Sequence, residues 1–169
     1  ELSGVALDGA KSERFKEIKE QLSVLSNQFS KNVLQSTNSW KKTVSANDLK
    51  GYGADEFSKV KKGDHYEISL QVPVYIDLMT YADSSDLREE VYKAYISRAS
   101  DIGITSKEFN NRPIMDEILK LRSEMSELVG FSNYAEYSTQ SKMVESPDAV
   151  VEFLNSLIDL STPQAKAEL

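Results

Sequence analysis

Phe15, Ile18, Leu22, Leu25, Phe29 and Val33 follow one another at intervals of three or four residues. Only an α-helix places side chains with that spacing along a single stripe. Lys16, Glu17, Lys19, Glu20 and Gln21 fall between them and form a solvated face. The pattern predicts a helix from about Lys11 to Trp40, a rod of roughly 45 Å at 1.5 Å per residue. Asp8 is placed to cap its start, where a negative charge meets the positive end of the helix. A stripe of this kind has to pack against other helices. A coiled coil is disfavoured, because the pattern does not continue and the rest of the chain is helical as well.

Between Thr43 and Gly63 the punctuation is of turns: Asn47-Asp48, Gly51, Gly53 and Gly63-Asp64, with one short helix over Ala54–Lys61. Tyr66, Ile68, Leu70 and Val72 then alternate with polar residues and predict a half-buried strand from His65 to Val72, ended by Pro73. Its one nearby partner is Trp40–Val44, which predicts a small hairpin-like excursion. Helices resume at Val74–Tyr81. Asp83, Ser84 and Ser85 offer cap chemistry for Asp86–Ser100, whose Leu87, Val91, Ala94, Tyr95 and Arg98 share a face, and Asp101-Ile102-Gly103 stops it. Pro113 opens a further helix carrying Ile114, Ile118, Leu121, Met125 and Leu128, with Gly130 as the left-handed residue after its end. Ser132 caps a short helix through Tyr137 or beyond. Ser146-Pro147-Asp148 starts another that carries Val150, Val151, Leu154, Leu157 and Ile158. Thr162-Pro163 reads as a fresh cap and first turn, with too few residues behind it to hold a helix alone. That reading makes the end at Leu169 a cut. The fold class expected is mainly α: one domain of about six helices, a long amino-terminal helix and a small β excursion around residues 40–72.

At 169 residues the chain can bury a core of its own, and hydrophobic residues at 40% with charged ones at 28% suit a globular domain. The net charge is −7 and the 20 lysines and arginines are scattered, which argues against a nucleic-acid partner. No apolar run is long enough to span a bilayer. The chain has no cysteine, which removes disulfides and thiolate metal sites.

Chemistry is sparse. His65 is the one histidine, whereas a zinc peptidase needs two imidazoles a helical turn apart to reach one metal. Carboxylate-bridged metal bundles need Glu-x-x-His pairs, and none is present. Neither a Gly-x-Ser-x-Gly nor a phosphate-binding Gly-x-x-x-x-Gly-Lys occurs, and Gly51-Tyr52-Gly53 alone carries little weight. Glu89-Glu90 and Asp116-Glu117 are adjacent helical positions that point in different directions, so each pair reads as solvated surface. Tyr75, Tyr81, Tyr92, Tyr95, Tyr134 and Tyr137 could line a peptide-binding groove, with a flat apolar body and a hydroxyl at the tip, or pack at the rim of a helical core. The residues themselves leave both open.

Several strings go further. Leu2-Ser3-Gly4-Val5 followed by Leu7-Asp8 resembles the Leu-Ser-Gly-Val-x-Leu entry of oligopeptidase A-like enzymes. Leu25 to Leu34 is similar to that family's Leu-x-x-x-Phe-x-x-Asn-Val-Leu helix. Leu87 to Tyr95 with Arg98-Ala99-Ser100-Asp101 resembles its Arg-Glu-x-x-Tyr-x-Ala-Tyr-x-x-Arg-Ala-Ser segment. Asn111–Ile118, Leu121-Arg122, Leu128–Ser138 and Lys142-Met143 follow in the family's order. The resemblance, to the thimet oligopeptidase and oligopeptidase A family and nearest its bacterial branch, runs along essentially the whole chain.

That resemblance implies an amino-terminal lobe of a cytoplasmic zinc metallopeptidase, forming one wall of a narrow channel that admits short peptides. Zinc would be held in the other lobe by a His-Glu-x-x-His motif and a later glutamate. None of these residues has a counterpart here, so no catalytic, cofactor-binding or metal-binding residue is assigned to this chain. The partners implied are short peptides and the missing catalytic lobe, with no nucleic acid and no membrane; a lobe without its mate could also self-associate through bared apolar surface. The competing reading is a self-contained helical interaction module without catalytic activity.

Overall fold

A computed structural model of the chain describes residues 2–53, 58–104 and 106–169, the side chain of Ser106 excepted. Seven helices and three short strands lie among them, a mainly α fold. The chain sorts into two compact units, one of Glu1–Leu22 with Glu117–Leu169, the other of Ser23–Asp116. The first helix, α1 (Gly9–Ser39), runs through both. Its stripe is inward as the spacing demands: Phe15 and Ile18 are buried and Leu22, Leu25, Phe29 and Val33 partly so, while Lys16, Glu17, Lys19, Glu20 and Gln21 are exposed.

The second unit holds the sheet. Strand β1 (Lys41–Val44) lies antiparallel to β3 (His65–Ser69), with Lys42 opposite Ile68 and Val44 opposite Tyr66. A two-residue strand, β2 (Lys61–Lys62), adds to the other edge of β3, giving the order β1-β3-β2. The excursion is therefore a three-stranded sheet, one strand more than a hairpin. The β2–β3 loop is Gly63-Asp64, and Gly63 takes φ 61 at its first position, the backbone a tight reversal of two twisted strands requires. Of the short helix expected over Ala54–Lys61, residues 58–60 are helical and 54–57 lie outside the described residues.

The strand ends at Ser69, not at Val72, because Pro73 acts as a helix starter. Helix α2 (Val72–Tyr81) begins one residue before it, with Gln71 in the cap position. Proline lacks the N–H that a first turn leaves unused, and its ring presets the helical φ. Helix α3 (Ser85–Ile96) is capped by Ser84, whose hydroxyl accepts from the Leu87 N–H. It stops four residues short of Ser100, where Ala99 takes a left-handed φ of 51. Two bonds to other segments secure that turn: the Ala99 N–H donates to the Ser36 hydroxyl, and its carbonyl accepts from the Asn111 N–H. Helix α4 (Ser106–Phe109) follows, unannounced by any periodicity. The core of this unit joins Trp40, Ile68, Leu70, Leu78, Leu87 and Val91 with Leu49 and Tyr52 of the glycine-punctuated segment.

The first unit contains the far end of α5 (Arg112–Leu128), then α6 (Tyr134–Thr139) and α7 (Pro147–Glu168). Helix α5 closes as its glycine predicts. Gly130 sits at φ 89, its N–H donates to Glu127 and the Phe131 N–H reaches the Ser126 carbonyl. These two bonds satisfy carbonyls the helix end would otherwise leave bare. The cap of α6 is Asn133 and not Ser132: the Asn133 carboxamide accepts from the Glu136 N–H at 2.9 Å, while the Ser132 hydroxyl donates to the Glu136 carboxylate at 2.6 Å. Ser146 caps α7 by accepting from the Ala149 N–H.

The largest departure is at Thr162-Pro163. No new helix starts there; α7 runs unbroken through Pro163. Pro163 cannot donate to the carbonyl one turn back, but this stretch is exposed and water can take that role. The Thr162 hydroxyl donates to the Ile158 carbonyl at 2.6 Å. Thr162-Pro163 is thus an interior stretch of α7 and starts no helix of its own.

One ion pair ties α1 to α5 in the first unit. The Arg14 guanidinium meets the Glu124 carboxylate through two bonds, Nε to Oε1 at 2.5 Å and a terminal nitrogen to Oε2 at 2.8 Å. Hydrogen bonding from Arg14 holds the Glu124 carboxyl below its ordinary range, and that from Glu124 raises the guanidinium. Because the folded-state value is the lower one, the stabilisation is full above the ordinary carboxylate range and fades as pH falls through the folded value. Thermal melts from about pH 6 to about pH 3 should show a declining midpoint. Glu124→Gln should flatten part of that decline, and an unchanged slope would remove Glu124 as a cause.

Candidate functional site

Each residue type singled out for chemistry can now be placed. His65 is exposed at the start of β3, opposite Lys62. Among the described residues no group of three His, Cys, Asp or Glu side chains comes together as a metal site would require. The zinc that the resemblance implies therefore finds no ligand set on these residues. The adjacent carboxylates are engaged separately at the surface: Glu89 with Lys93 at 2.5 Å, Glu90 with Lys42 at 2.6 Å, Asp116 with Arg112 at 3.6 Å and Glu117 with Lys120 at 3.8 Å. Each answers a different cation, so neither pair converges on one point.

The tyrosines divide into packed and bare. In the second unit Tyr75 and Tyr95 stack with ring centres 3.8 Å apart and planes 11° from parallel. The Arg98 guanidinium lies 3.6 Å from the Tyr95 ring centre, donates from Nε to the Tyr95 carbonyl and reaches the Thr37 hydroxyl at 3.1 Å. A cation on an aromatic face, held by two further bonds, is a fixed arrangement. In the first unit Tyr137 donates its hydroxyl to the Leu2 carbonyl at 2.9 Å and touches Phe131 edge-on. Arg122 covers Tyr134 at 4.8 Å. Burial, with Tyr134 nearby, pushes the Tyr137 hydroxyl above its usual range, which suits a donor that stays protonated. Tyr81 and Tyr92 are the bare ones, about half exposed. Four of the six thus do packing work. Tyr52, which donates to the Val74 carbonyl from inside the core, carried no periodic signal that could have announced it.

Two of the clefts formed by the described residues bear on the chemistry. One, of about 420 Å³, lies between β1 and the start of α3; Lys42, Asp48, Asp86 and Glu90 line it. Asp48 is held by the Ser45 backbone and hydroxyl, which lower its carboxyl below the ordinary range. The other, of about 590 Å³, lies between α6 and the start of α7; Phe131, Glu136, Glu145 and Asp148 line it. Hydrogen bonds, first from the Ser132 hydroxyl, lower the Glu136 carboxyl as well, and they tie it to the start of α6. Ser84 and Ser146 line these clefts too, and each hydroxyl caps its own helix, accepting from the Leu87 and Ala149 N–H groups. No helix of the described residues is long and apolar enough to cross a membrane.

Comparison with known proteins supplies what this chemistry lacks. The profile of peptidase family M3 matches residues 78–169. Oligopeptidase A of Salmonella typhimurium is 42% identical over all of this chain, which covers 26% of that protein. Oligopeptidase A of Haemophilus influenzae is 39% identical with the same coverage, 100% and 26%. A protein of Arabidopsis thaliana named probable cytosolic oligopeptidase A is 39% identical over 92% of this chain and 24% of its own length. The chain thus spans about a quarter of the length of the relatives it matches. Taken along the whole of its length, it belongs to peptidase family M3, the family of thimet oligopeptidase and oligopeptidase A.

Proposed function

We propose that this chain is the amino-terminal, non-catalytic lobe of a zinc-dependent metallo-endopeptidase that hydrolyses short peptides in the cytoplasm. The observation that carries the reading is the 42% identity to oligopeptidase A held across 100% of this chain and only 26% of that protein. A piece of that size without a metal-ligand cluster among its described residues fits a wall of the substrate channel, with the zinc ligands elsewhere in the polypeptide. Zinc would supply the Lewis acid and the activated water there. This chain's residues would shape what reaches it. Exposed Tyr81 and Tyr92 are the side chains of the present structure best suited to touch a passing peptide.

The test is hydrolysis of a short quenched-fluorescence peptide by the full-length protein. Treatment with a chelator should lower the rate roughly a hundredfold or more, and added zinc should restore it. A folded protein containing the same peptide sequence should resist cleavage. Full-length protein with no chelator-sensitive hydrolysis would defeat the reading. A helical interaction module would then take its place, favoured by the bare apolar side of α7.

A further inference from the structure

Helix α7 has no buried residue, although its middle is apolar. Val151, Phe153, Leu154, Leu157, Ile158 and Leu160 are between 45% and 79% exposed. Laid out at 3.6 residues per turn, these six occupy about 180° of the circumference, against the roughly 100° stripe of a helix lying on a surface. Asp148, Glu152, Asn155 and Asp159 fill the opposite side. The arrangement is amphipathic and well sorted, so the apolar half is not a scatter of single exposed residues.

We propose that this half of α7 is seated in an apolar groove formed by the longer protein's polypeptide outside these 169 residues, making α7 the element that joins the two parts. The inference rests on the reading of the chain as part of a longer family M3 enzyme. Two observations favour that occupant over a second copy. The relatives are about four times as long as this chain, and their match to it covers the whole chain, α7 included. A symmetric pairing of two α7 helices would cover one stripe on each and leave the flanks at Leu160 or Val151 wet. A groove with two walls covers all six. No charged residue lies within the apolar arc between Val151 and Leu160, so the groove is apolar and shape, not charge, sets the register.

Hydroxyl-radical footprinting of the full-length protein, read by mass spectrometry, tests this without any substitution. Phe153 and Leu157 should be oxidised roughly tenfold more slowly than in the urea-unfolded protein, at every protein concentration. Oxidation within about threefold of the unfolded rate would overturn the proposal, and protection that grows with concentration would do so by identifying a second copy. Leu157→Glu should lower the melting midpoint of the full-length protein by about 10 °C, against about 2 °C or less for Asn155→Glu on the polar side. Equal small shifts would count against the groove, and if Leu157→Glu does not fold the footprint alone decides. Peptide hydrolysis with an unprotected α7 defeats the groove only. A protected α7 in a protein that cleaves no peptide defeats the peptidase reading and leaves the groove.

Discussion

Asn111→Ala should destabilise the chain by about 3 kcal/mol, as a fall in the urea midpoint with little change in slope. Asn111 is 2% exposed and joins three segments of the second unit. Its carboxamide oxygen accepts from Asn32 at 2.9 Å, its amide nitrogen donates to the Phe29 carbonyl at 3.1 Å, and its backbone N–H donates to Ala99. Asn32 is itself buried and accepts from Gln28 at 2.6 Å. Truncation removes one donor and one acceptor at once: the buried Asn32 amide loses its acceptor, and the Phe29 carbonyl keeps only the bond of its own helix. An orphaned buried donor costs about 1–3 kcal/mol, because it loses water on folding and gains nothing in return, and the lost bond to Phe29 adds to that. Asn111→Asp should cost at least as much: the size is kept, but the donor to Phe29 is lost and a charge is buried. Asn47→Ala, at an exposed turn position, should stay within about 0.5 kcal/mol. A loss at Asn111 no larger than that at Asn47 would remove the buried polar seam from the account of what holds α1 to the segment after α3.

A methyl group at position 51 should cost a similar amount by a different route. Gly51 takes φ 87, a region that L side chains rarely adopt, and a Cβ there would overlap the Tyr81 carbonyl oxygen and crowd the Asp83 carboxylate. The close approach is built in, because the Asp83 N–H donates to the Lys50 carbonyl at 2.8 Å and draws the two segments together. The left-handed backbone alone costs about 1 kcal/mol for alanine, and moving a backbone carbonyl that neighbours a paired amide adds about 2 kcal/mol more. Gly51→Ala should therefore lose about 3 kcal/mol by urea denaturation. Gly63→Ala, which has a positive φ and open space around it, isolates the backbone part and should lose about 1 kcal/mol. Equal losses at the two positions would mean that the contact with Tyr81 carries no weight.

Gly51 lies where the sequence is least readable, and Asn111 follows a one-turn helix that shows no period. The stripe of α1, the shared face of α3 and the row Ile118, Leu121, Met125 and Leu128 of α5 are legible because burial on one side of a helix imprints its period on the chain. The Gly130 helix end and the Ser84 and Ser146 caps are legible because each needs a particular local chemistry. Leu49 and Tyr52 sit in the core without any period, on a segment shaped by contacts with residues far along the chain. Helix α4 is a single turn, too short to show a repeat. The Thr162-Pro163 pair carries a strong local signal for a helix start, and the structure overrides it by continuing α7 through the proline.

The functional reading divides along the same line. Family membership was written in residue order, because motif strings survive as strings and need no fold to be recognised. That the chain holds one histidine, and so cannot supply two imidazoles, was equally plain. By contrast, only the tertiary structure separated the four packed tyrosines from the two left bare. The apolar face of α7 was legible as a face, and its lack of any cover was not. Periodicity records which side of a helix avoids water, whereas what the side rests against depends on where every other segment has gone.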